Sequence, residues 1–386
     1  MQIDFRASAR PSLGVEWEFA LVDHRTRDLA NCAGALFDAV AGRVDPGKIH
    51  QELLRNTVEV VTGVCDTVGE AVEDLRSSLD VVVPAAAGMG VDLFGAGAHP
   101  FAEWSAQHVS EGHRYAELIN RTQWWGRQML IWGVHVHVGM PSVDRVMPVL
   151  SSLLNTFPHL QALSASSPVW AGTDTGYASN RALMFQQLPT AGLPFQFATW
   201  AEYESFCEDS TVTGVIEGQG DIRWDIRPSA HNGTIENRVC DGISDLGELS
   251  ALVALMHCLA VDLDRRLAAG ETLPSMPPWH VQENKWRAAR YGLEAEIIVD
   301  AQSRERLVTD DLDDLLIRLE PVAASLGCAE ELRRVADIPV RGASYQRQRR
   351  VAEATGGDLV AVVSSVVEEL ETSLALPSQG APQPTQ

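Results

Sequence analysis

Two glutamates near the start of the chain alternate with bulky apolar residues. The segment 14–19 reads GVEWEF, and in a β-strand this order places Glu16 and Glu18 on one face and the apolar side chains on the other. The two carboxylates would stand roughly 7 Å apart, at about 3.3 Å rise per residue. An isolated pair of this kind is more often a solvated strand edge. Binding of a metal ion becomes the better interpretation only if other ligands share the same face.

A second pair of acids, Glu52 and Glu59, lies around a β-prone run at 57–62. Glu59 stands among apolar residues, where an unpaired charge is costly to bury. A salt bridge to an arginine and a metal-binding role explain it equally well. Because an odd number of residues separates the two acids, one unbroken strand would point them to opposite faces. A shared site therefore requires a turn or bulge between them, which we predict near 54–56.

Two histidines alternate with valines in the segment 133–139, GVHVHVG. A single histidine beside an apolar face is usually a hydrogen-bonded core residue, but strict alternation of His135 and His137 favours the wall of a binding site. Mg²⁺ and Mn²⁺ prefer oxygen ligands, so several glutamates with one histidine suit these ions better than zinc.

A β-hairpin is predicted around Asn232-Gly233, a turn dipeptide between the alternating runs 221–228 and 234–241. One face of this hairpin would carry six charged side chains. They are Asp221, Arg223, Asp225, Arg227, Glu236 and Arg238. A ladder of cross-strand ion pairs would account for them. Recognition of an anion by arginine forks beside a metal-binding glutamate would account for them as well.

The elements that must position these residues are read from hydrophobic periodicity. Period-two alternation predicts strands at 13–23, 57–62, 91–98, 133–139, 221–228 and 234–241. Helical spacing predicts helices at 69–89, 114–131, 143–164, 245–269, 283–300, 309–326 and 357–374. Strands come mostly first and helices last, which favours an α+β fold over a doubly wound sheet. We predict one catalytic domain over 1–375 and a disordered tail at 376–386, which is rich in Pro, Gln and Ser.

The amino-acid composition restricts the classes of molecule that the protein can bind. The chain has 386 residues and a net charge of -22, which repels nucleic acid and anionic membranes, and no basic block offsets it. The six cysteines are scattered without a C-x-x-C pair. No apolar run of the roughly 20 residues needed for a bilayer span is evident, and the N-terminus lacks the apolar core of a signal peptide. We expect a soluble, cytoplasmic protein that binds neither nucleic acid nor membrane.

Taken in order, these motifs resemble the type 2 glutamate–cysteine ligase family, which comprises bacterial ATP-dependent carboxylate–amine ligases similar in their catalytic sheet to glutamine synthetase. The resemblance extends to about Leu374 and includes the segments 97–101, GAHPF, and 177–181, YASNR. It implies a glutamine-synthetase-like catalytic domain, in which a curved antiparallel β-sheet funnel is backed by helices. It also implies that ATP and two or three Mg²⁺ or Mn²⁺ ions bind there.

The resemblance also implies roles for individual residues. The implied metal ligands are Glu16, Glu18, Glu52, Glu59, His135 and Glu236. Arg238 matches the arginine that stabilises the transferring phosphate, and Arg238 and Glu59 are the candidate catalytic residues. Arg181, Arg223, Arg227 and Arg238 are candidates for binding the phosphates or the substrate carboxylate. His137 shares a face with His135 and is a further candidate for cofactor binding.

The activity implied by the resemblance is acyl activation in two steps. ATP would phosphorylate a carboxylate, expected to be that of glutamate, and an amine such as cysteine would displace phosphate to form an amide. The base that deprotonates the amine is a site carboxylate or the phosphate itself. No Walker-type G-x-x-x-x-G-K-[ST] occurs in the sequence, so metals and arginines would hold the nucleotide. We also expect a homo-oligomer.

Three other functions stay open at this point. A metal-dependent hydrolase would use His135, His137 and a glutamate to activate water on zinc. A catalytically silent binding module would keep the sheet as a scaffold. A ligase of the same fold could instead modify a protein partner.

Overall fold

The structure is a computed structural model, and it describes residues 2–375. Its strands are β1 Leu13–Asp23, β2 Ile49–Gln51, β3 Thr57–Val61, β4 Val91–Phe94, β5 Gly133–Gly139, β6 Val169–Trp170, β7 Thr173–Asp174, β8 Ile226–Ser229, β9 Thr234–Asp241, β10 Glu296–Ile298 and β11 Glu305–Leu307. Its α-helices are α1 Ala33–Val40, α2 Val68–Gly88, α3 His113–Thr122, α4 Trp124–Arg127, α5 Val143–Leu153, α6 Phe157–Ser164, α7 Asn180–Phe185, α8 Trp200–Val212, α9 Leu246–Ala268, α10 Pro278–Tyr291, α11 Val308–Leu326, α12 Ala329–Arg334, α13 Asp337–Arg341, α14 Ser344–Ala354 and α15 Leu359–Ala375.

One sheet of seven strands organises the chain. Its order is β2-β3-β1-β5-β9-β8, and β4 pairs with the C-terminal part of β1. All of these pairings are antiparallel. The predicted α+β class and antiparallel catalytic sheet are therefore confirmed. The predicted single domain over 1–375 stays a prediction, and the predicted tail at 376–386 lies outside the described residues.

The sheet has one apolar and one polar face because its strands alternate. Trp17 and Phe19 of β1 are fully buried, and the valines of β5 join them in the main core. Helices α2, α5, α6 and α9 pack against the sheet. Removing these side chains from water is the main favourable term, at roughly 25 cal/mol per Å² of apolar surface. The glutamates and histidines are thereby left on the opposite face.

Helix α9 is the central helix of this core. The Asp245 side chain caps its N-terminus by accepting hydrogen bonds from the backbone N–H groups of Gly247 and Glu248, which satisfies two otherwise unpaired donors. Within residues 2–375, α9 is the one helix long and apolar enough to cross a membrane, and 83% of its apolar window is buried inside the protein. That burial identifies it as a core helix. The cytoplasmic location stays a prediction.

The Asn232-Gly233 turn joins β8 to β9 as predicted. Gly233 has φ +69°, and a Cβ there would lie 1.7 Å from the carbonyl oxygen of Arg6. Only glycine meets both demands. The turn consequently fixes the register in which β8 and β9 present their charged side chains.

Three predicted helices are interrupted. The helix predicted at 114–131 ends at Thr122, since Gln123 has φ +51°. The one predicted at 143–164 is divided into α5 and α6 by a 3₁₀ turn, and Pro158 stands in the first turn of α6, where its missing N–H is tolerated. The one predicted at 283–300 begins earlier, at Pro278, and ends at Tyr291. The next residue, Gly292, has φ +57°, and the short strand β10 follows.

Two predicted strands are shorter than expected. The strand predicted at 91–98 ends at Phe94, and the one predicted at 221–228 begins only at Ile226. Residues 219–221 instead form a 3₁₀ turn, so side-chain alternation does not hold before Ile226. Helices α1, α7, α8, α12, α13 and α14 were not predicted.

Candidate active site

A cavity of about 460 Å³ lies over the polar face of the sheet. Most of the residues that the sequence singled out line it, namely Glu16, Glu18, Glu52, Glu59, His135, Arg181, Arg223, Arg227 and Arg238. The remaining two, His137 and Glu236, are buried beside Glu16. The structure therefore brings all of the predicted site residues to one place, whereas their chemical roles stay predictions.

Strand register assembles this cluster. Directly opposed across neighbouring strands are Glu16 and His135, Glu18 and Glu59, His137 and Glu236, and Arg227 and Glu236. Side chains opposed in this way have Cβ atoms about 5 Å apart. Because the side-chain period of a strand is two, a one-residue slip would turn a whole ligand set towards the core.

Glu52 reaches the same cavity by a different route. It lies in the turn between β2 and β3, which pair as a hairpin with His50 opposite Glu59. Strand alternation therefore does not govern its direction, and its carboxylate oxygen accepts a hydrogen bond from the backbone N–H of Leu53 at 3.3 Å. The predicted break between Glu52 and Glu59 is confirmed.

Within residues 2–375, three groups of side chains have the spacing of metal ligands. They are Glu16, His137 and Glu236; Glu16, Glu59 and His135; and Glu18, Glu52 and Glu59. In each group the ligand atoms lie within 4.8 Å of one another. Glu16 belongs to two groups and Glu59 to two, so the three groups form a continuous row. Carboxylates predominate, which suits Mg²⁺ or Mn²⁺.

His135 supplies an independent test of this fit. Its Nδ1 lies 2.7 Å from a carboxylate oxygen of Glu16, an arrangement in which Nδ1–H donates and Nε2 keeps its lone pair. Nε2 is buried and has no hydrogen-bond partner. An orphaned buried nitrogen is rare in proteins, and a metal ion among these carboxylates would satisfy it. The residues therefore fit a divalent cation.

The carboxylates of the third group, Glu18, Glu52 and Glu59, resist ionisation without a cation. Burial and the neighbouring charge of Glu52 raise the pKa of Glu18 to about 8. Burial and the charges of Glu16 and Glu52 raise the pKa of Glu59 well above its usual value, and burial raises the pKa of Glu52. A divalent cation would offset this repulsion and stabilise the ionised form.

Glu16 and the two histidines differ from that group. Although burial opposes ionisation, hydrogen bonds with His135 and His137 lower the pKa of Glu16. Burial and the charge of Arg238 lower the pKa of His135 to about 4, so its imidazole is neutral at pH 7 and available as a ligand. Against the effect of burial, Glu236 and Glu16 raise the pKa of His137, whose Nδ1 lies 2.8 Å from Oγ1 of Thr234.

Two arginines hold Glu236 in place. Arg227 donates from Nε and Nη2 to the two carboxylate oxygens at 2.7 and 3.2 Å, and Arg238 donates from Nη1 to one of them. Although burial opposes ionisation, Arg238 and Arg227 lower the pKa of Glu236. The carboxylate is therefore ionised at neutral pH and ready to serve as a ligand. The same arginines place positive charge at the arginine-lined end of the row.

Arg181 supports Arg238 from behind. Its Nη1 and Nη2 each donate to the backbone carbonyl of Arg238 at 3.2 Å. The guanidinium fits because residue 133 is glycine, since a Cβ there would lie 2.2 Å from Nη2. The guanidinium carbons of Arg181 and Arg238 lie 5.6 and 5.9 Å from the ring centroid of Phe185, within the range of cation–π attraction.

Two charged residues predicted on the site face lie elsewhere. Asp225 is buried against Lys285 of α10, with Nζ and Oδ2 2.5 Å apart. Asp221 accepts a hydrogen bond from Nη2 of Arg223 at 3.3 Å. Both placements follow from the absence of strand before Ile226. For this segment the prediction of one charged face was wrong, although Arg223 still reaches the cavity.

Sequence reasoning missed several residues of the cavity wall. Arg114 and Tyr115 enter from α3, and Phe185 and Leu188 enter from α7 and the turn after it. Arg114 carries no local signal, because it is one charged residue on an exposed helix. Phe185 could have been found only from its spacing to Arg181 on one helical face.

Comparison with known proteins gives a consistent result. The family model described as glutamate–cysteine ligase family 2 matches residues 12–366. A Nocardioides protein is 72% identical over 375 residues, covering 97% of this chain and 100% of the relative. A Mycobacterium ulcerans protein is 67% identical over 370 residues, covering 96% and 94%. Their names are "Putative glutamate--cysteine ligase 2-3" and "Putative glutamate--cysteine ligase 2".

Solved structures of low sequence identity share the fold. A glutamate–cysteine ligase from Francisella tularensis in complex with AMP matches with a TM-score of 0.61 and 14% identity, covering 96% of this chain and 94% of that one. A bifunctional glutathione synthetase from Pasteurella multocida matches with a TM-score of 0.64 and 14% identity, covering 95% and 52%. The complex of the prokaryotic ubiquitin-like protein Pup and its ligase matches with a TM-score of 0.53 and 11% identity, covering 94% and 73%.

Proposed function

Because the chain belongs to glutamate–cysteine ligase family 2, we propose that it is an ATP-dependent carboxylate–amine ligase. It activates a carboxylate, that of glutamate, as an acyl phosphate and joins it to an amine such as cysteine. The observation that carries this proposal is the row of three ligand groups ending beside Arg227 and Arg238. A row of cation sites beside fixed arginines suits the negative oxygens of a transferring phosphoryl group.

The metal ligands in this proposal are the carboxylates and imidazoles of the row. His137, first considered for cofactor binding, joins Glu16 and Glu236 as a third member of one ligand group. Bound divalent cations would neutralise phosphate charge and orient the phosphoryl group for in-line transfer. Two or three Mg²⁺ or Mn²⁺ ions fit the number of groups.

Arg238 is the proposed catalytic arginine. Its guanidinium lines the cavity, and Glu236 and Glu16 raise its pKa despite burial, so it stays cationic throughout the reaction. Arg181 holds its backbone, which fixes the donor before substrate arrives. Preorganised donors of this kind typically contribute 10²- to 10³-fold to turnover. Arg223 and Arg227 are proposed to bind the nucleotide phosphates or the substrate carboxylate.

The two reaction steps need no base other than a carboxylate of the site or the released phosphate. The carboxylate oxygen attacks the γ-phosphorus of ATP and ADP leaves; the amine then attacks the acyl carbon and phosphate leaves. The amine must lose one proton, which a site carboxylate or the departing phosphate accepts. Glu59, which lines the cavity, is the proposed carboxylate, and the departing phosphate is the alternative acceptor when cations hold the oxygens of Glu59.

The test is release of ADP that depends on an amine. Purified protein is incubated with ATP, Mg²⁺, glutamate and a panel of amines, and products are identified by mass spectrometry. We expect ADP and amide in equal amounts. Glu16→Gln should lose at least about 100-fold in turnover, whereas Glu353→Gln, on the exposed surface of α14, should retain it. Absence of amine-dependent ADP release would contradict the proposal.

The same assay separates the other functions. A hydrolase would turn over without ATP and would need one zinc ion; the carboxylate-rich groups argue against this. A silent module would tolerate Glu16→Gln without loss of function. A protein-modifying ligase would release ADP only with a protein acceptor, and the low-identity match to the Pup ligase complex supports a shared fold alone.

A further inference from the structure

A second cavity of about 460 Å³ adjoins the first. The two share four lining residues, which are Arg114, Leu118, Gly220 and Arg223. Helix α3 forms one wall and the segment 214–221 forms the other. A molecule bound in the second cavity would therefore lie next to the row of metal-binding groups.

Most charges in this second cavity already have partners. Glu117 faces His113 at 3.8 Å. The carboxylate of Asp221 accepts hydrogen bonds from Arg223 at 3.3 Å and from the backbone N–H of Glu217 at 3.0 Å. Arg121 donates to the carbonyl oxygen of Val215 at 2.9 Å.

Arg114 is the exception among the arginines of this cavity. Throughout residues 2–375 it has no hydrogen-bond or ion-pair partner. Arg114 lines the first cavity together with Glu52 and Glu59 and also lines the second cavity, so it stands between the metal-binding row and the second cavity. In a chain of net charge -22, a cation kept free at the junction of two cavities is suited to an anionic ligand.

The residues that line the second cavity restrict the class of anionic ligand that it can bind. Among the described residues no Phe, Tyr or Trp lines the second cavity, and its one imidazole, that of His113, faces Glu117, so it offers a nucleotide base no extended apolar surface on which to stack. The first cavity does, with Phe185 beside Met129, Ile131 and Leu188. In the described part of the chain, none of the metal-compatible groups includes a residue that lines the second cavity. A small anionic molecule fits better than a base or a cation.

We propose that the second cavity binds an amino-acid substrate and that Arg114 recognises its α-carboxylate. This inference rests on the proposed ligase function. The reacting group of the substrate, either the side-chain carboxylate of the acyl donor or the amino group of the acceptor, then extends into the first cavity past Arg114 and Arg223. Arg114 is thus a specificity residue that selects amino acids over amines or acids lacking the α-carboxylate.

The test compares substrates with and without that carboxylate. One arm uses glutamate against 4-aminobutyrate as acyl donor, and the other uses cysteine against cysteamine as acceptor. We expect Arg114→Gln to lower kcat/KM about 10- to 100-fold for the amino acid of one arm and to leave its decarboxylated analogue and the KM for ATP within twofold. Arg304→Gln, whose side chain is 77% exposed and lies in neither cavity, is the charge-matched control.

The arm that responds identifies which substrate Arg114 binds. Equal losses for an amino acid and its analogue, or a raised KM for ATP alone, would overturn the inference and assign Arg114 to the nucleotide or to folding. A wild-type protein with no amine-dependent ADP release would overturn the proposed function and this inference together. An active wild-type protein whose preference for amino acids is unchanged by Arg114→Gln would overturn this inference alone.

Discussion

Burial of the carboxylates, together with repulsion among them, should make the metal-free protein lose stability as pH rises. Glu18 has a pKa of about 8 in the folded protein, against an ordinary value of 4.5, and its side chain is 14% exposed. Between these pH values the folded state holds a proton that the unfolded state has lost. Stability is therefore full below about pH 4.5 and declines as pH rises towards 8.

The size of this loss of stability follows from the pKa of Glu18. At 1.36 kcal/mol per pKa unit, the rise corresponds to about 5 kcal/mol at most, because relaxation and entering water reduce the penalty. Glu18→Gln removes the charge and keeps the shape. In the presence of a chelator, we expect the variant to be more stable than wild type above pH 8 and to show a pH slope shallower by up to about 1.4 kcal/mol per pH unit, the value for one proton.

The assay is urea unfolding at several pH values between 5 and 9, with and without Mg²⁺. Glu353→Gln serves as a matched control on the surface and should keep the wild-type slope. Saturating Mg²⁺ should flatten the wild-type profile but stabilise Glu18→Gln less. If Glu18→Gln in chelator kept the full wild-type slope, the reasoning from carboxylate repulsion would be refuted.

The other predictions concern the arginine-lined end of the row and its histidines. Glu236→Gln leaves Arg227 and Arg238 without their anionic partner, so the free energy of unfolding should fall by about 3 kcal/mol in urea titrations; a change below about 1 kcal/mol would mean that water replaces the pairing. His137→Gln should remove one Mn²⁺ ion per chain in native mass spectrometry, because one ligand group loses its imidazole; an unchanged count at limiting Mn²⁺ would exclude His137 as a ligand. Arg181→Lys keeps the positive charge but loses the two hydrogen bonds to the backbone carbonyl of Arg238. We expect kcat to fall about 10- to 100-fold while the affinity for Mn²⁺ is retained. An unchanged kcat would show that Arg238 does not need this support.

Side-chain alternation in the sequence was sufficient to predict the part of the site that lies on regular strands. The bounds of β1, β5 and β9 match the predicted runs 13–23, 133–139 and 234–241. Glu16, His135 and Glu236 share the polar face of the sheet because alternation is a property of each strand by itself. Even the break between Glu52 and Glu59 followed from parity alone.

Tertiary packing determines the position of the site residues and helices that the sequence did not predict. Alternation predicted Asp225 on the site face, but its segment leaves the sheet and Asp225 pairs with Lys285, 60 residues away in the chain. Arg114 lines the cavity from the first turn of α3, a placement that depends on how α3 packs and that no local pattern predicts. Helix α12 packs on α9 and α11, and α14 packs on α15, so tertiary contacts rather than strong local propensity set these short helices.

The sharing of Glu16 and Glu59 between neighbouring ligand groups has a consequence for how the protein responds to its surroundings. An ion that binds the group of Glu18, Glu52 and Glu59 must displace the proton of Glu59, which also serves the next group, whereas Glu16 is already ionised. Loading of the first ion thus prepares the site for the second, and occupancy should rise steeply rather than gradually with free Mg²⁺. Because the displaced protons enter the same equilibrium, the half-loading concentration should fall as pH increases. The ligand groups would then be empty, and the protein inactive, at low Mg²⁺ concentration or low pH. They would fill with metal over a narrow range above those conditions.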